Sequence, residues 1–164
     1  IMVVTHDNSL ARRVTRTILL VDGELVNEWV LKALPSLTHP QLLKATKSME
    51  QLNFTPGQQI VKEKEINDCL YIIAEGYVDV ALNKDGKTEK INRMGPGEYF
   101  GEVELMNGGH AIANISAGEE PVTVVALQRA LFEELVNENR ETKRVIESIV
   151  NRRVIENQSA RSQK

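Results

Sequence analysis

Residues 68–80 read Asp68-Cys69-Leu70-Tyr71-Ile72-Ile73-Ala74-Glu75-Gly76-Tyr77-Val78-Asp79-Val80, and the periodicity around this stretch decides the fold class. Beyond Gly76, the residues Val78, Val80 and Leu82 alternate with Tyr77, Asp79 and Ala81, the period of two that turns one face of a strand inward. Val122 and Val124 repeat the alternation later in the chain. Across residues 51–127 turn formers recur at Pro56-Gly57, Asn67-Asp68, Gly76, Asp85-Gly86, Gly95-Pro96-Gly97, Gly108-Gly109 and Gly118. Roughly six to eight short strands joined by tight turns predict a small β-barrel or roll.

Working outward, both flanks switch to helical periodicity. Residues 29–49 form a helical stretch broken at Leu34-Pro35-Ser36 and restarted at Pro40, a residue favoured in the first turn because its missing N–H is not needed there. Leu42, Leu43, Ala45 and Met49 give that stretch one apolar face. After Gln128 come Leu131, Phe132, Leu135 and Val136, then Val145, Ile146, Ile149, Val150 and Val154 on a second helix. Residues 157–164 hold a single apolar residue, Ala160, and read as a frayed tail. At the other end, residues 1–4 are an apolar strand closed by Thr5-His6-Asp7, and residues 8–16 a short helix bearing Leu10, Ala11 and Val14. Residues 18–26 form a hairpin around Asp22-Gly23, since Asp-Gly supplies the positive φ angles of a two-residue turn. Such a piece is below the roughly 40 residues that fold unaided, so it reads as the edge of another domain.

Composition narrows the chemistry. Twenty Lys and Arg against 23 Asp and Glu leave a net charge of -3, so no global basic field exists to hold nucleic acid and no nucleic-acid partner is expected. One cysteine, Cys69, and three scattered histidines offer neither an internal disulfide nor a metal-ligand cluster. No apolar run approaches the roughly 20 residues needed to span a bilayer. No nucleophile with a neighbouring base and no metal set marks an enzyme.

The segment from about 31 to 157 resembles a cyclic nucleotide-binding domain, the fold of catabolite-activator regulators, protein kinase regulatory subunits and gated channels. Four pieces carry the likeness: Phe54-Thr55-Pro56-Gly57-Gln58-Gln59-Ile60-Val61, the stretch at 68–80, Gly95-Pro96-Gly97-Glu98-Tyr99-Phe100-Gly101-Glu102, and the closing helices. The resemblance implies an α+β, mainly β fold: an eight-stranded, jelly-roll-like β-roll with flanking N- and C-terminal helices, followed by a tail at 158–164. It also implies that Phe100, Gly101, Glu102 and Val103 open a phosphate-binding cassette. In such a cassette a short helix presents its amides to a cyclic phosphate, a glutamate holds the ribose hydroxyl and a later arginine pairs the phosphate. The second half departs from the pattern. Where relatives read Pro-Arg-Ala-Ala-Thr-Val, this chain reads His110-Ala111-Ile112-Ala113-Asn114-Ile115, with Ala111 at the arginine position and Ile112 at the small residue beside it. No Lys or Arg occurs in residues 94–128, so weak or no cyclic-nucleotide binding is expected. A one-residue shift would put His110 in the arginine's place. Lys64 and Asn67 stand where relatives carry glycine; Asn67 tolerates a left-handed conformation, and Lys64 suggests a different turn.

Residues 1–30 resemble the C-terminal edge of an ATP-binding-cassette ATPase of the lipoprotein- and macrolide-export type. Ile1-Met2-Val3-Val4-Thr5-His6-Asp7 is similar to the strand leading to the switch histidine, which makes His6 that histidine, and Arg16-Thr17-Ile18-Leu19-Leu20-Val21-Asp22-Gly23-Glu24-Leu25 is similar to the following hairpin. No Gly-x-x-x-x-Gly-Lys-Ser/Thr phosphate loop occurs, so hydrolysis, ATP and magnesium belong to a longer parent chain of which this is a fragment. The resemblance implies a regulatory module in the cytoplasm, peripheral to the membrane through a permease subunit, with a homodimer seam along the last helix as a further expectation. The alternatives it leaves are a genuine cAMP- or cGMP-binding allosteric domain and a truncated transcription regulator of the catabolite-activator type.

Overall fold

The structure, a computed structural model, describes residues 18–163. His6, read as a switch histidine, and the strand and helix expected over residues 1–16 lie outside the described residues. The hairpin that follows is present as β1 (Leu20–Val21) and β2 (Glu24–Leu25). Its turn has Asp22 at φ 50 and Gly23 at φ 78, both positive as a two-residue turn between twisted strands requires. Helix α1 (Glu28–Ala33) follows, its N-cap Asn27 accepting from the amides of Trp29 and Val30. Helix α2 (His39–Ser48) starts with a capping box in which Thr38 and Gln41 satisfy each other's backbone amides. The Asn27 amide donates to Thr46 Oγ1 at 2.9 Å, tying α1 to α2.

Eight strands then build the roll: β3 (Glu50–Phe54), β4 (Gln59–Val61), β5 (Cys69–Glu75), β6 (Val78–Lys84), β7 (Lys87–Met94), β8 (Tyr99–Phe100), β9 (Asn114–Ala117) and β10 (Val122–Gln128). They form two four-stranded antiparallel sheets, in the orders β3-β10-β5-β8 and β4-β9-β6-β7. Helix α3 (Glu102–Met106) interrupts them between β8 and β9, and α4 (Arg129–Glu138) and α5 (Arg140–Ser162) close the domain.

The alternation read from the sequence sorts side chains between two cores. Ile73, Val78, Val80, Leu82, Val122 and Val124 fill the space between the sheets. Leu70, Ile72, Val125 and Leu127 face the other way, against Phe132, Leu135 and Ile146 of the closing helices. A sheet covered on both faces explains why Val122-Thr123-Val124-Val125-Ala126-Leu127 is almost continuously apolar. The expected domain boundary at residue 30 falls inside α1. Val21, Val26 and Val30 share one core with Leu70 and Leu127, so the hairpin is packed onto the roll.

Two expectations fail. The presumed tail at 158–164 continues α5 as far as Ser162. Its last turns are held by polar contacts more than by an apolar stripe: Arg161 pairs with Glu63, Lys84 donates to the carbonyl of Ala160 at 3.4 Å, and Ala160 itself rests on the inner core. A cation at a helix C-terminus complements the unsatisfied carbonyls there. The second failure concerns the turn before β5, where Lys64 itself takes φ 72 while Asn67 keeps a negative φ. Lys64 therefore fills the left-handed position, and Asn67 is used for its side chain.

Candidate functional site

The site is assembled where β8 hands over to α3. Gly101 takes φ 95, and a Cβ there would lie 2.2 Å from the Cys69 carbonyl and 2.8 Å from Asn67 Nδ2. Glycine is required both by conformation and by the close passage of backbone. Asn67 Nδ2 donates to that same Cys69 carbonyl at 2.8 Å. Arg129, the first residue of α4, then ties the pieces together. Its Nε donates to Asp68 Oδ1 at 2.8 Å, its Nη2 to the Asn67 carbonyl at 3.1 Å and its Nη1 to the Leu105 carbonyl of α3 at 3.3 Å. The last contact satisfies one of the orphan carbonyls at the end of this short helix.

Beyond Gly101 lies a cavity of about 360 Å³, bounded by Val80, Met94 and Ile115 of the roll, by α3, and by Arg153, Asn157 and Ala160 of α5. Phe100 lines it and stacks on Tyr71 with ring centroids 5.0 Å apart. Glu102 has no exposed surface. Its Oε1 accepts from Arg153 Nη1 at 2.5 Å, and the same nitrogen donates to the Tyr99 carbonyl at 2.8 Å. The Arg153 guanidinium also lies 5.7 Å from the Tyr99 ring centroid. Glu102 Oε2 and the Tyr99 hydroxyl are buried without a partner. Burial pushes the Glu102 carboxyl above the usual glutamate range, and Arg153 only partly offsets this. The Tyr99 hydroxyl is pushed up to about 12, by burial first and then by the Glu102 charge.

Two residues further on, a second carboxylate lines the same cavity. Glu104 is 5% exposed, and its Oε1 accepts from the Ile112 amide at 3.2 Å. Burial raises its proton affinity too, with its own amide and that of Ile112 offsetting part of the rise. Ile112 closes the wall at this point, its carbonyl accepting from Arg161 Nη2 at 3.0 Å. Ala111 is buried in the inner core, and its methyl side chain offers no charge.

Phe100, Gly101, Glu102, Val103 and Ile112 are thus brought together around one cavity. His110 is not. Its ring is exposed, with Nδ1 3.2 Å from the Lys64 carbonyl, and it borders a separate outer groove of about 470 Å³ between the 63–64 turn and α5. The suggestion that His110 takes the arginine's place is corrected by this geometry, because the backbone bridge between Ile66 and His110 holds the residue outside the roll.

Sequence reasoning missed Glu104 and Arg153. A signal for Arg153 was present: a glutamate placed among apolar residues needs a cation, residues 94–128 supply none, and Arg153, Asn157 and Ala160 recur at helical spacing. Among the described residues no His, Cys, Asp and Glu cluster fits a metal ion, and no helix is long and apolar enough to cross a membrane.

Comparison with known proteins supplies the frame. The family model of the cyclic nucleotide-binding domain matches residues 51–139. A cAMP-dependent protein kinase regulatory subunit of Mucor circinelloides is 32% identical over 84 residues, covering 51% of this chain and 20% of that protein. The regulatory subunit of a cAMP-independent protein kinase A from Trypanosoma cruzi, solved bound to guanosine, superposes with a TM-score of 0.62 and 28% identity over 66% of this chain and 39% of that one. The Thermus thermophilus catabolite activator protein shares the fold, with a TM-score of 0.65 and 23% identity over 76% of this chain and 59% of that one. The chain therefore spans a fifth of the fungal relative's length.

Proposed function

Since this chain belongs to the cyclic nucleotide-binding domain family, we propose that it is a non-catalytic regulatory module whose pocket has lost its partner for a cyclic phosphate and takes an uncharged nucleoside. The observation that carries this reading is the charge inside the cavity. Glu102, Glu104 and Glu156 border it against Arg153 alone, and Arg153 is engaged by Glu102. An anionic phosphate entering there meets carboxylates on the α3 side, and Ala111, at the position of the family's arginine, sits in the inner core with a methyl that offers no charge. A hydrogen bond to a charged group is worth about 1.5–3 kcal/mol, so losing a bidentate arginine removes much of the affinity for a cyclic nucleotide. Two buried carboxylates are instead suited to accept hydrogen bonds from ribose hydroxyls, which bring donors and no charge. The guanosine-bound trypanosome relative supports an uncharged nucleoside as the class of ligand.

The resemblance of residues 1–30 to the edge of an export ATPase supports a wider reading, in which the module regulates a longer ATP-binding chain in the cytoplasm with a permease as partner. Calorimetric titration with cAMP, alongside an Ala111→Arg variant, tests the pocket. The unmodified protein is expected to be silent and the variant to gain measurable binding. Micromolar binding of cAMP by the unmodified protein would overturn the reading and make the module a cyclic-nucleotide sensor.

A further inference from the structure

Helix α5 lies across the cavity mouth and is fixed there by two arginines. Arg153 donates to Glu102 Oε1 at 2.5 Å and to the Tyr99 carbonyl at 2.8 Å. Two turns later, Arg161 Nη2 donates to Glu63 Oε1 at 2.7 Å and to the Ile112 carbonyl at 3.0 Å. Glu63 is held from the other side by the Asn83 amide on Oε2 at 2.9 Å. The two arginines thus fasten α5 at two points, one on the cassette helix beside the pocket and one on the turn before β5 at the neighbouring outer groove.

A ligand hydroxyl has to approach a carboxylate to about 2.7 Å to bind it. Glu102 has no exposed surface, and its second oxygen is buried without a partner. Neither oxygen is reachable while Arg153 is seated. We propose that Arg153 is an internal stand-in for the ligand: it occupies the carboxylate that a nucleoside would use, and ligand entry and docking of the distal part of α5 exclude each other. Arg161 is the second clasp of the same strap, released with the first. The proposal rests on Glu102 being the ligand's acceptor, as in the function proposed above. Binding is then read out as the freeing of residues 150–162, whose inner side carries Val150 and Ala160. A strap of this kind lowers apparent affinity by the fraction of molecules in which it is open, so loosening it tightens binding.

The test is hydrogen exchange of residues 150–162 in the full chain, with and without guanosine, together with guanosine affinity, for the unmodified protein, Arg153→Gln and Arg161→Gln. Guanosine is expected to speed exchange over 150–162. Arg153→Gln is expected to show fast exchange there without ligand and to bind guanosine about tenfold more tightly. Arg161→Gln, which leaves Glu102 untouched, shifts both readouts in the same direction by less, and keeps the test valid if the first variant folds poorly. Slower exchange with guanosine and weaker binding by Arg153→Gln overturn the proposal, because Arg153 is then a ligand contact. Unchanged exchange in both variants overturns it as well. If no variant binds guanosine while both loosen 150–162, the nucleoside reading falls and the stand-in role falls with it, leaving the two arginines as structural clasps; tight guanosine binding with unchanged exchange overturns the strap alone.

Discussion

Two carboxylates of the roll are each paired with an arginine from α5, and the pairs behave in opposite ways. At Glu102–Arg153 the carboxylate is fully buried, one of its oxygens is unsatisfied, and burial outweighs the arginine, so its proton affinity rises. At Glu63–Arg161 burial also pushes upward, but hydrogen bonds from Arg161 and from the Asn83 amide outweigh it, and the proton affinity falls. The second pair is closer to water only on its arginine side, Arg161 being 41% exposed against 23% for Arg153. The difference teaches that an ion pair of the same composition is a structural clasp where both carboxylate oxygens are bonded. Where one oxygen is left over, the pair keeps a buried acceptor with an unmet hydrogen bond.

The contrast is broken most strongly at Arg153. Arg153→Met leaves Glu102 as an uncompensated buried charge and is expected to destabilise the fold by about 3–5 kcal/mol in denaturant unfolding. The double variant Glu102→Gln/Arg153→Met removes both charges and is expected to recover most of that loss. A double variant no more stable than the single would show that the arginine acts through packing alone. Gly101→Ala comes next, with an expected loss of about 3 kcal/mol, since a Cβ 2.2 Å from the Cys69 carbonyl forces the cassette from its place. Equal stability of the variant would contradict that contact.

Acid titration separates the pairs by sign. For Glu102 and Glu104, whose carboxyls are raised, the folded state binds protons more readily than the unfolded chain. Stability therefore falls as pH rises from the ordinary glutamate value of 4.5 to their raised values. For Glu63 the folded value is lowered, so its contribution is present above 4.5 and is lost as pH falls through that lowered value. Glu104→Gln is expected to flatten the first slope and Glu63→Gln the second, in unfolding measured from pH 3 to 7 (about the range over which glutamates titrate). The smallest effect is expected at the exposed Lys47–Glu24 pair between α2 and β2. Lys47→Ala changes stability by about 0–1 kcal/mol, an effect that salt suppresses.

How much of this was legible in the sequence depended on which force holds each part. β6 and the start of β10 follow from alternation because one face of each is driven inward by apolar burial, whereas the mostly exposed β7 follows from the turns that bound it. Both Asp-Gly hairpins follow from their need for positive φ, Asp85 and Gly86 taking 50 and 78 like Asp22 and Gly23. The turn at Gly101 into a short helix from Glu102 was legible by position. The end of α5 was not, because Arg161 and Lys84 hold it with polar contacts and hydrophobic periodicity is silent about those. Lys64 in a left-handed turn was anticipated only as a departure, since the residue type opposes the conformation it adopts. Arg153 looked like one more basic residue near the chain end. Its partner lies 51 positions earlier, and no local pattern links them.

The central claim, a pocket that accepts ribose hydroxyls and refuses a cyclic phosphate, is tested most directly by titrating one protein sample with guanosine and with cGMP under the same low-salt conditions. The two ligands share base and sugar ring and differ in the cyclic phosphate. Guanosine is expected to bind at least about tenfold more tightly, the free-energy equivalent of about 1.4 kcal/mol. Tighter binding of cGMP would show that an anion partner exists in the pocket after all, and would contradict the account.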